Sequence, residues 1–398
     1  MSERPVMDDE ESSLRNMKVD VVCFRADSGL GDYSVSLCKK LAQLCSVRLI
    51  TSQSLDPRYE AFGFTTEKLF RRSRHLPADL LAFIVTVLRR RPDAIIFQSW
   101  MKSPLLECLL VSYLRKRGIR CFLTVHDVLP HHPRVWSQAE LSLYYRRFDG
   151  LIAHADSARK HLRDMGVTAP ILVVPHGAYD LFDTLHLDQA SARKHLPYLD
   201  SNSFVVLFFG KLDPRKGIFE FVEAARRFKP DDGVQFVAAG MNGLDQGDLE
   251  KVTALADGKL LIIDERRIPF EEVQYLFASC DVVALPYREG STSGVLKVAM
   301  AFGKPVIATP VGDMAETVEP SFGVLLHVGD VAIALAEAVS FMRSQEHVLL
   351  EESTAREKYT WLWIARRYLA FIEMPGLAGS TDACQTKEMS FSQEHLND

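Results

Sequence analysis

The sequence predicts an α/β protein made of two successive doubly wound units, and three observations predict it. Short, continuously apolar runs rich in β-branched residues alternate with helix-period segments along the chain. The alternation restarts at Phe204, so two units join somewhere between His176 and Ser203. The length, 398 residues, is long for one compact domain and comfortable for two. Strands that are apolar throughout are buried on both faces, the pattern of a parallel sheet covered by helices.

The elements follow in order. Residues 1–16 are polar and charged without periodicity and read as a disordered lead-in. The run 19–24 is the first strand. A glycine-bearing turn follows it, and then a helix with Tyr33, Leu37 and Leu41 on one face. Residues 47–51 form the next strand, and Leu80, Ile84, Val87 and Leu88 suit a helix. Runs 94–98, 120–125, 150–154 and 171–174 are further strands of this unit, placed at 17–180. The second unit, 181–358, opens with strand 204–209, then Gly210 and a helix from about 218 to 228. Runs 234–238, 261–263, 282–285 and 306–309 are its later strands. Residues 359–374 (YTWLWIARRYLAFIEM) read as an aromatic amphipathic helix, and 375–398 as a disordered tail. Ligands in such folds bind beyond the carboxyl ends of the strands, so two facing units offer one cleft.

Composition excludes several classes. A formal net charge of -5 gives no general attraction for nucleic acid. The seven cysteines include no C-x-x-C pair and no zinc-like spacing, which reads as buried thiols in a reduced compartment. The acidic start lacks the basic and apolar regions of a signal peptide, and runs such as 80–88 are too short to span a bilayer. The cytoplasm is the expected location.

Four segments carry candidate chemistry. Gly29-Leu30-Gly31 lies directly after the first strand, either as a tight turn or as backbone open to a ligand. Gly210, Lys211, Asp213, Arg215, Lys216 and Gly217 lie between a strand and a helix. Three cations beside a helix N-terminus suit a diphosphate; the alternative is a solvated basic turn. Residues 286–295 follow another strand. Glu289 there can accept from sugar hydroxyls, and Ser293, Gly294 and Val295 expose backbone donors at a helix start; the alternative is an N-cap loop. His126 ends a strand of the first unit and points beyond it, in competition with His131, His132, His154 and His176.

Read together, these segments resemble glycosyltransferase family 4, over most of the span 19–374. VVLFFGKLDPRKGIFEFVEAARRF and VVALPYREGSTSGVLKVAMAFGKPVIATPVGDMAETV are similar to its donor-binding segments; SGLGDYS, TVHDVLPHH, VVPHGAYD and the closing aromatic helix are similar to others. The resemblance implies a GT-B fold, two Rossmann-like domains facing a cleft, and a retaining transfer of a hexose-type sugar from a nucleoside diphosphate sugar. It implies that Lys211 and Lys216 hold the donor diphosphate, Glu289 the transferred sugar, and His126 the anomeric side. Gly29 and Gly31 would line the diphosphate from the other domain, together with Gly210, Arg215 and the backbone of Ser293, Gly294 and Val295. Arg266 or Ile268 would border the nucleobase. One position departs from the family's Glu, seven residues, Glu pattern: Lys297 stands where the second glutamate is expected, and an ammonium only donates where a carboxylate accepts from ribose.

No Asp-x-Asp occurs in the chain, so fixed cations rather than a metal ion are expected to stabilise the leaving group, with no cofactor beyond the donor itself. The acceptor is expected on the first unit, as a saccharide or polyprenyl-linked saccharide in polysaccharide or glycoconjugate biosynthesis. Arg71, Arg72, Arg74 and Arg89, Arg90, Arg91 flank the 80–88 stretch and suggest peripheral contact with anionic membrane, or else a solvated helix end. Lys297 leaves a second reading open: a non-catalytic relative that binds a nucleotide sugar.

Overall fold

The computed structural model describes residues 15–26, 29–71, 73–98, 104–130, 136–290, 293–312, 314–327, 329–344 and 357–374. Residues 1–14 of the expected lead-in, the expected tail 375–398, Arg72, His131 and His132 lie outside these residues, whereas Arg15 and Asn16, expected in the lead-in, are described and helical. The chain divides into two compact units: one runs to Gly177 and takes in the chain again from Glu357, and the other is Ala178–Arg356.

The first unit is a seven-stranded parallel sheet. Its strands are β1 (Lys18–Cys23), β2 (Ser46–Ser52), β3 (Thr65–Phe70), β4 (Ala94–Phe97), β5 (Arg120–Val125), β6 (Gly150–Ala153) and β7 (Ile171–Val173), in the order β3-β2-β1-β4-β5-β6-β7. Its helices are α1 (Gly29–Leu41), α2 (Leu76–Arg90), α3 (Pro104–Lys116), α4 (Ser137–Tyr145) and α5 (Asp156–Asp164). The strand order reverses between β1 and β4. Helices that cross toward β7 therefore cover one face of the sheet, because such crossovers are right-handed. Phe83 and Val87 of α2, Val111 and Leu114 of α3, Tyr144 and Tyr145 of α4, and Leu162 of α5 close one core against that face. Asp20, buried on β1, accepts from Arg48 and is also paired with Arg90, which ties β1, β2 and the end of α2 together.

The second unit is a six-stranded parallel sheet, β10-β9-β8-β11-β12-β13. Its first helix is α6 (Gln189–Arg193). Then come β8 (Phe204–Phe209), α7 (Ile218–Ala225), β9 (Val234–Ala239), α8 (Gln246–Thr253) and β10 (Leu261–Asp264). The rest is α9 (Phe270–Ser279), β11 (Val282–Leu285), α10 (Gly294–Ala301), β12 (Val306–Ala308), α11 (Met314–Thr317), β13 (Gly323–Leu325) and α12 (Val331–Ser344). Strand order reverses between β8 and β11, so the loops after those two strands diverge around a crevice.

The closing helix α13 (Trp361–Glu373) belongs to the first unit. Thr360 caps it by accepting from the Trp363 N–H at 3.3 Å. Tyr368 is buried, sharing hydrogen bonds with Tyr33 at 2.8 Å and with Thr124 at 3.0 Å. Phe371 packs its edge on Phe122, with ring centroids 5.6 Å apart. No described helix is long and apolar enough to cross a membrane.

Candidate functional site

The main site lies at the β8/β11 reversal of the second unit. Gly210, directly after β8, has φ 104°. Lys211 follows, then Leu212, whose N–H donates to Met241 O at 3.0 Å. Asp213 caps a single 3-10 turn, Pro214–Lys216, accepting from the Arg215 N–H at 2.9 Å. Gly217 then starts α7 with φ 77°. A β-carbon there would fall 1.9 Å from Pro286 O, so only glycine lets this turn lie against the loop that follows β11. Across the contact, the N–H groups of Arg288 and Glu289 donate to Arg215 O at 2.8 and 3.3 Å. The two loops are therefore one piece of backbone architecture.

Charge follows from that architecture. Lys211 is half exposed, with Nζ 3.7 Å from Asp213 Oδ2. Lys216 stands with Nζ 5.5 Å from the centre of the Tyr287 ring and close under Gly210, 2.9 Å from where a β-carbon would be. Burial pushes the Lys216 ammonium below the ordinary lysine value; Asp213 pulls it back, and Arg215 and Lys211 push it down further. Burial would raise Asp213, but the Arg215 backbone and guanidinium and the Lys211 charge outweigh it and hold the carboxyl below the usual range. The result is an excess of positive charge, one ammonium half-buried and one at the rim. Ser293 caps α10, accepting from the Leu296 N–H at 3.2 Å. Val295 is buried near Gly210, while Gly294 faces the Tyr179 ring and Glu289 is exposed. Lys211, Arg215, Lys216, Gly210, Glu289, Ser293, Gly294 and Val295 thus gather at one reversal point. Lys297, one turn into α10, is buried, and its carbonyl accepts from the Tyr179 N–H at 3.0 Å.

Arg266 and Ile268 lie apart, after β10. Arg266 is held by Asp264, at 3.1 Å, and by Glu272; the Glu272 hydrogen bond comes first among the causes that raise its pKa. Ile268 is half-buried two residues before α9.

In the first unit, Gly29 and Gly31 are in the first turn of α1, Gly29 exposed and Gly31 buried. His126 follows β5, with Nε2 3.2 Å from Gln98 Oε1. The histidines that compete in the sequence converge in space. The rings of His126, His154 and His176 surround Tyr33, with centroids 4.7, 5.3 and 4.9 Å from its own. Trp361 of α13 closes on Tyr33 at 4.8 Å. His154 and His176 each place Nδ1 on a backbone carbonyl, Val174 O at 3.1 Å and Gly177 O at 2.8 Å. Burial, and then His154, push the His126 pKa well below the ordinary value, so the imidazole is neutral at physiological pH. Tyr33 and Tyr287 stand in the candidate segments of the sequence but with no role of their own, and Gly240 went unnoticed. Gly240 directly after β9 carried a signal: glycine at the carboxyl end of a buried strand marks a close backbone approach.

Known proteins resemble this chain over both units. The model for "Glycosyltransferase Family 4" matches residues 28–179, and the model for "Glycosyl transferases group 1" matches residues 203–344. D-inositol 3-phosphate glycosyltransferase of Paenarthrobacter aurescens (strain TC1) is 29% identical over 315 residues, 74% of this chain and 76% of the relative. GDP-mannose:glycolipid 4-beta-D-mannosyltransferase of Xanthomonas campestris pv. campestris is 27% identical over 241 residues, 57% of this chain and 61% of the relative. The crystal structure of Anabaena HepE in complex with UDP shares the fold, with a TM-score of 0.63 and 20% identity over 94% of this chain and 100% of that one.

Proposed function

We propose that this chain, which belongs to the family 4, group 1 glycosyltransferases, moves a hexose-type sugar from a nucleoside diphosphate donor to a saccharide or lipid-linked saccharide acceptor, with retention. The observation that carries the donor assignment is the pairing of a half-buried Lys216 with a rim Lys211 on a loop locked to the start of the β11 loop. A diphosphate offers several anionic oxygens to two such ammoniums and to the backbone donors of Ser293 to Val295. HepE is solved with UDP, and the Xanthomonas relative is named for GDP-mannose and a glycolipid; both favour the same substrate classes here.

Each residue then has a task. As the bond from the anomeric carbon to the diphosphate lengthens, negative charge grows on the departing phosphate oxygen. Lys216 and Lys211 stabilise that charge more in the transition state than in the ground state. The sugar passes through an oxocarbenium-like state, and the acceptor hydroxyl attacks from the side the diphosphate leaves. Its proton goes to the departing phosphate oxygen, so the configuration is kept and no enzyme nucleophile is required. Glu289 accepts from the sugar's hydroxyls, and neutral His126 offers the sugar a polar group without a competing charge. Arg266, fixed by Asp264 and Glu272, presents a flat guanidinium for a base to stack on, with Ile268 beside it. Gly29 and Gly31 contribute backbone to the diphosphate. Lys297 occupies the place of a ribose-binding carboxylate, so ribose recognition differs here from the family pattern. No metal or other cofactor enters this scheme, and we place the reaction in the cytoplasm, in polysaccharide or glycoconjugate synthesis.

A thermal-shift screen against UDP-, GDP- and ADP-sugars tests the reading. A genuine donor at ~100 times its dissociation constant adds about 2.7 kcal/mol of stability. The anomeric configuration of the product, read by NMR, tests retention. Absence of stabilisation by every nucleoside diphosphate sugar refutes the donor assignment.

A further inference from the structure

Two neighbouring helices of the first unit carry solvent-exposed apolar side chains. α3 exposes Leu105, Leu106 and Leu109, the last at 70%, and α4 exposes Leu143 and, at its start, Trp136 at 59%. Both helices cross in the same direction on one sheet face. The Tyr144 hydroxyl donates to Glu107 at 2.8 Å, which ties α4 alongside α3. Farther along, the same helices turn basic at Arg115, Lys116, Arg117, Arg146 and Arg147, all exposed. The Arg117 guanidinium lies 4.8 Å from the Tyr113 ring centre. Its acidic groups are few: Glu107 is buried against Tyr144, Asp149 accepts from Arg115 at 2.6 Å and from the Cys121 N–H at 2.8 Å, and Glu140 of α4 is half-buried beside Cys108.

We propose that this face docks on an anionic lipid surface. Leucines and a tryptophan suit the boundary between headgroups and acyl chains, and the adjacent cations suit anionic headgroups. A second copy of the same face would set cation against cation, which disfavours self-association. The arginines flanking α2 serve this less well. Arg71 is bound by Asp79 and Arg90 by Asp20, and beside the exposed Arg89 and Arg91 the helix exposes only Leu81 and Val85 among its large apolar residues, because Leu80, Ile84 and Leu88 pack toward the core.

Co-sedimentation of the full chain with phosphatidylglycerol-rich vesicles, against pure phosphatidylcholine, tests this without reference to turnover, so its failure leaves the donor assignment standing. The wild type is expected to sediment with the anionic vesicles, less so at high salt. Leu105→Asp with Leu109→Asp lowers the partition coefficient about tenfold or more, because each leucine then loses its transfer from water. Should that variant fail to fold, Lys116→Glu with Arg117→Glu gives a comparable loss from the charge side. Wild-type protein that stays in the supernatant overturns the proposal, as do variants that bind unchanged. A leucine variant that converts a dimer to a monomer in size-exclusion light scattering, with the wild type off the vesicles, assigns the face to self-association instead.

Discussion

Replacing Lys216 with methionine keeps the stem and removes the charge, and its effect can be sized from the surroundings. A unit charge pair at about 4 Å is worth about 4 kcal/mol at the effective dielectric near a protein surface. Part of that is offset, because burial already holds the Lys216 ammonium below its ordinary pKa, and methionine carries no such penalty. Charge-assisted hydrogen bonds net about 1.5–3 kcal/mol, so kcat/KM for transfer is expected to fall roughly 10- to 150-fold. Lys211 is half exposed, so solvent screens it and Lys211→Met should cost only about two- to fivefold. The assay is initial-rate transfer or donor hydrolysis with the donor found by thermal shift, with nucleoside diphosphate affinity from calorimetry and a melting curve as control. The methionine stem can still lie over Tyr287, so the melting temperature should hold. A Lys216→Met enzyme within twofold of wild type in rate and affinity refutes the reasoning, as does a larger loss from Lys211→Met.

His126 is neutral in the fold and has a depressed pKa, whereas the unfolded chain takes up its proton near about 6.5. Between those values the unfolded state binds more protons, so stability is intact above that pH and falls on acidification below it, by up to about 1.4 kcal/mol per pH unit. Urea melts at neutral and acid pH should show a shallower loss for His126→Gln; equal slopes count against a buried neutral imidazole. Gly217→Ala forces a β-carbon onto Pro286 O in a left-handed backbone, and should cost about 2–4 kcal/mol in a denaturant titration and weaken the thermal response to UDP. Unchanged stability would mean the two loops are not in contact. Treatment with EDTA should leave the initial transfer rate unaltered; a loss restored by a divalent cation refutes the cation-based stabilisation of the leaving group.

The strands were legible wherever the sheet buries them on both sides. The run 19–24 becomes Lys18–Cys23, and 204–209 is Phe204–Phe209. β3 escaped notice because it is an edge strand paired only with β2, and its TTEKLF sequence is mostly half-buried rather than apolar. α4 falls in the helix-period sequence expected between two strands, but its bounds could not be read, because its buried Leu141, Tyr144 and Tyr145 sit among exposed Trp136 and Leu143 and no clean stripe separates inside from outside. The helix expected over 218–228 ends at Ala225, and the Phe228 N–H closes a turn onto Ala225 O. At the candidate site, the lysines could be read because Gly210 and Gly217 bracket them directly after an apolar run. The bonds from the backbone of Arg288 and Glu289 to Arg215 could not, since nothing local announces a partner so far along the chain. The histidine cluster was hidden for the same reason: His126, His154 and His176 follow three adjacent strands, and only the sheet order makes them neighbours.

The glycines explain why such a loop can act on a diphosphate at all. A lysine on a free loop would have to lose both backbone and rotamer freedom when the ligand arrives, and that loss would be charged against affinity. Here the backbone is immobilised from two sides before any ligand binds. Gly217 lets the turn rest against Pro286, and Gly240 lets the end of β9 approach Gly210, where a β-carbon would come within 1.9 Å of Gly210 O. Asp213 then holds the Arg215 N–H, and the Tyr287 ring lies beside the Lys216 ammonium. What remains to be ordered on binding is the outer half of Lys211. That division makes Lys216 the group whose charge is already in position as the sugar–phosphate bond breaks, and it is why the half-buried lysine, rather than the more exposed one, should dominate the rate.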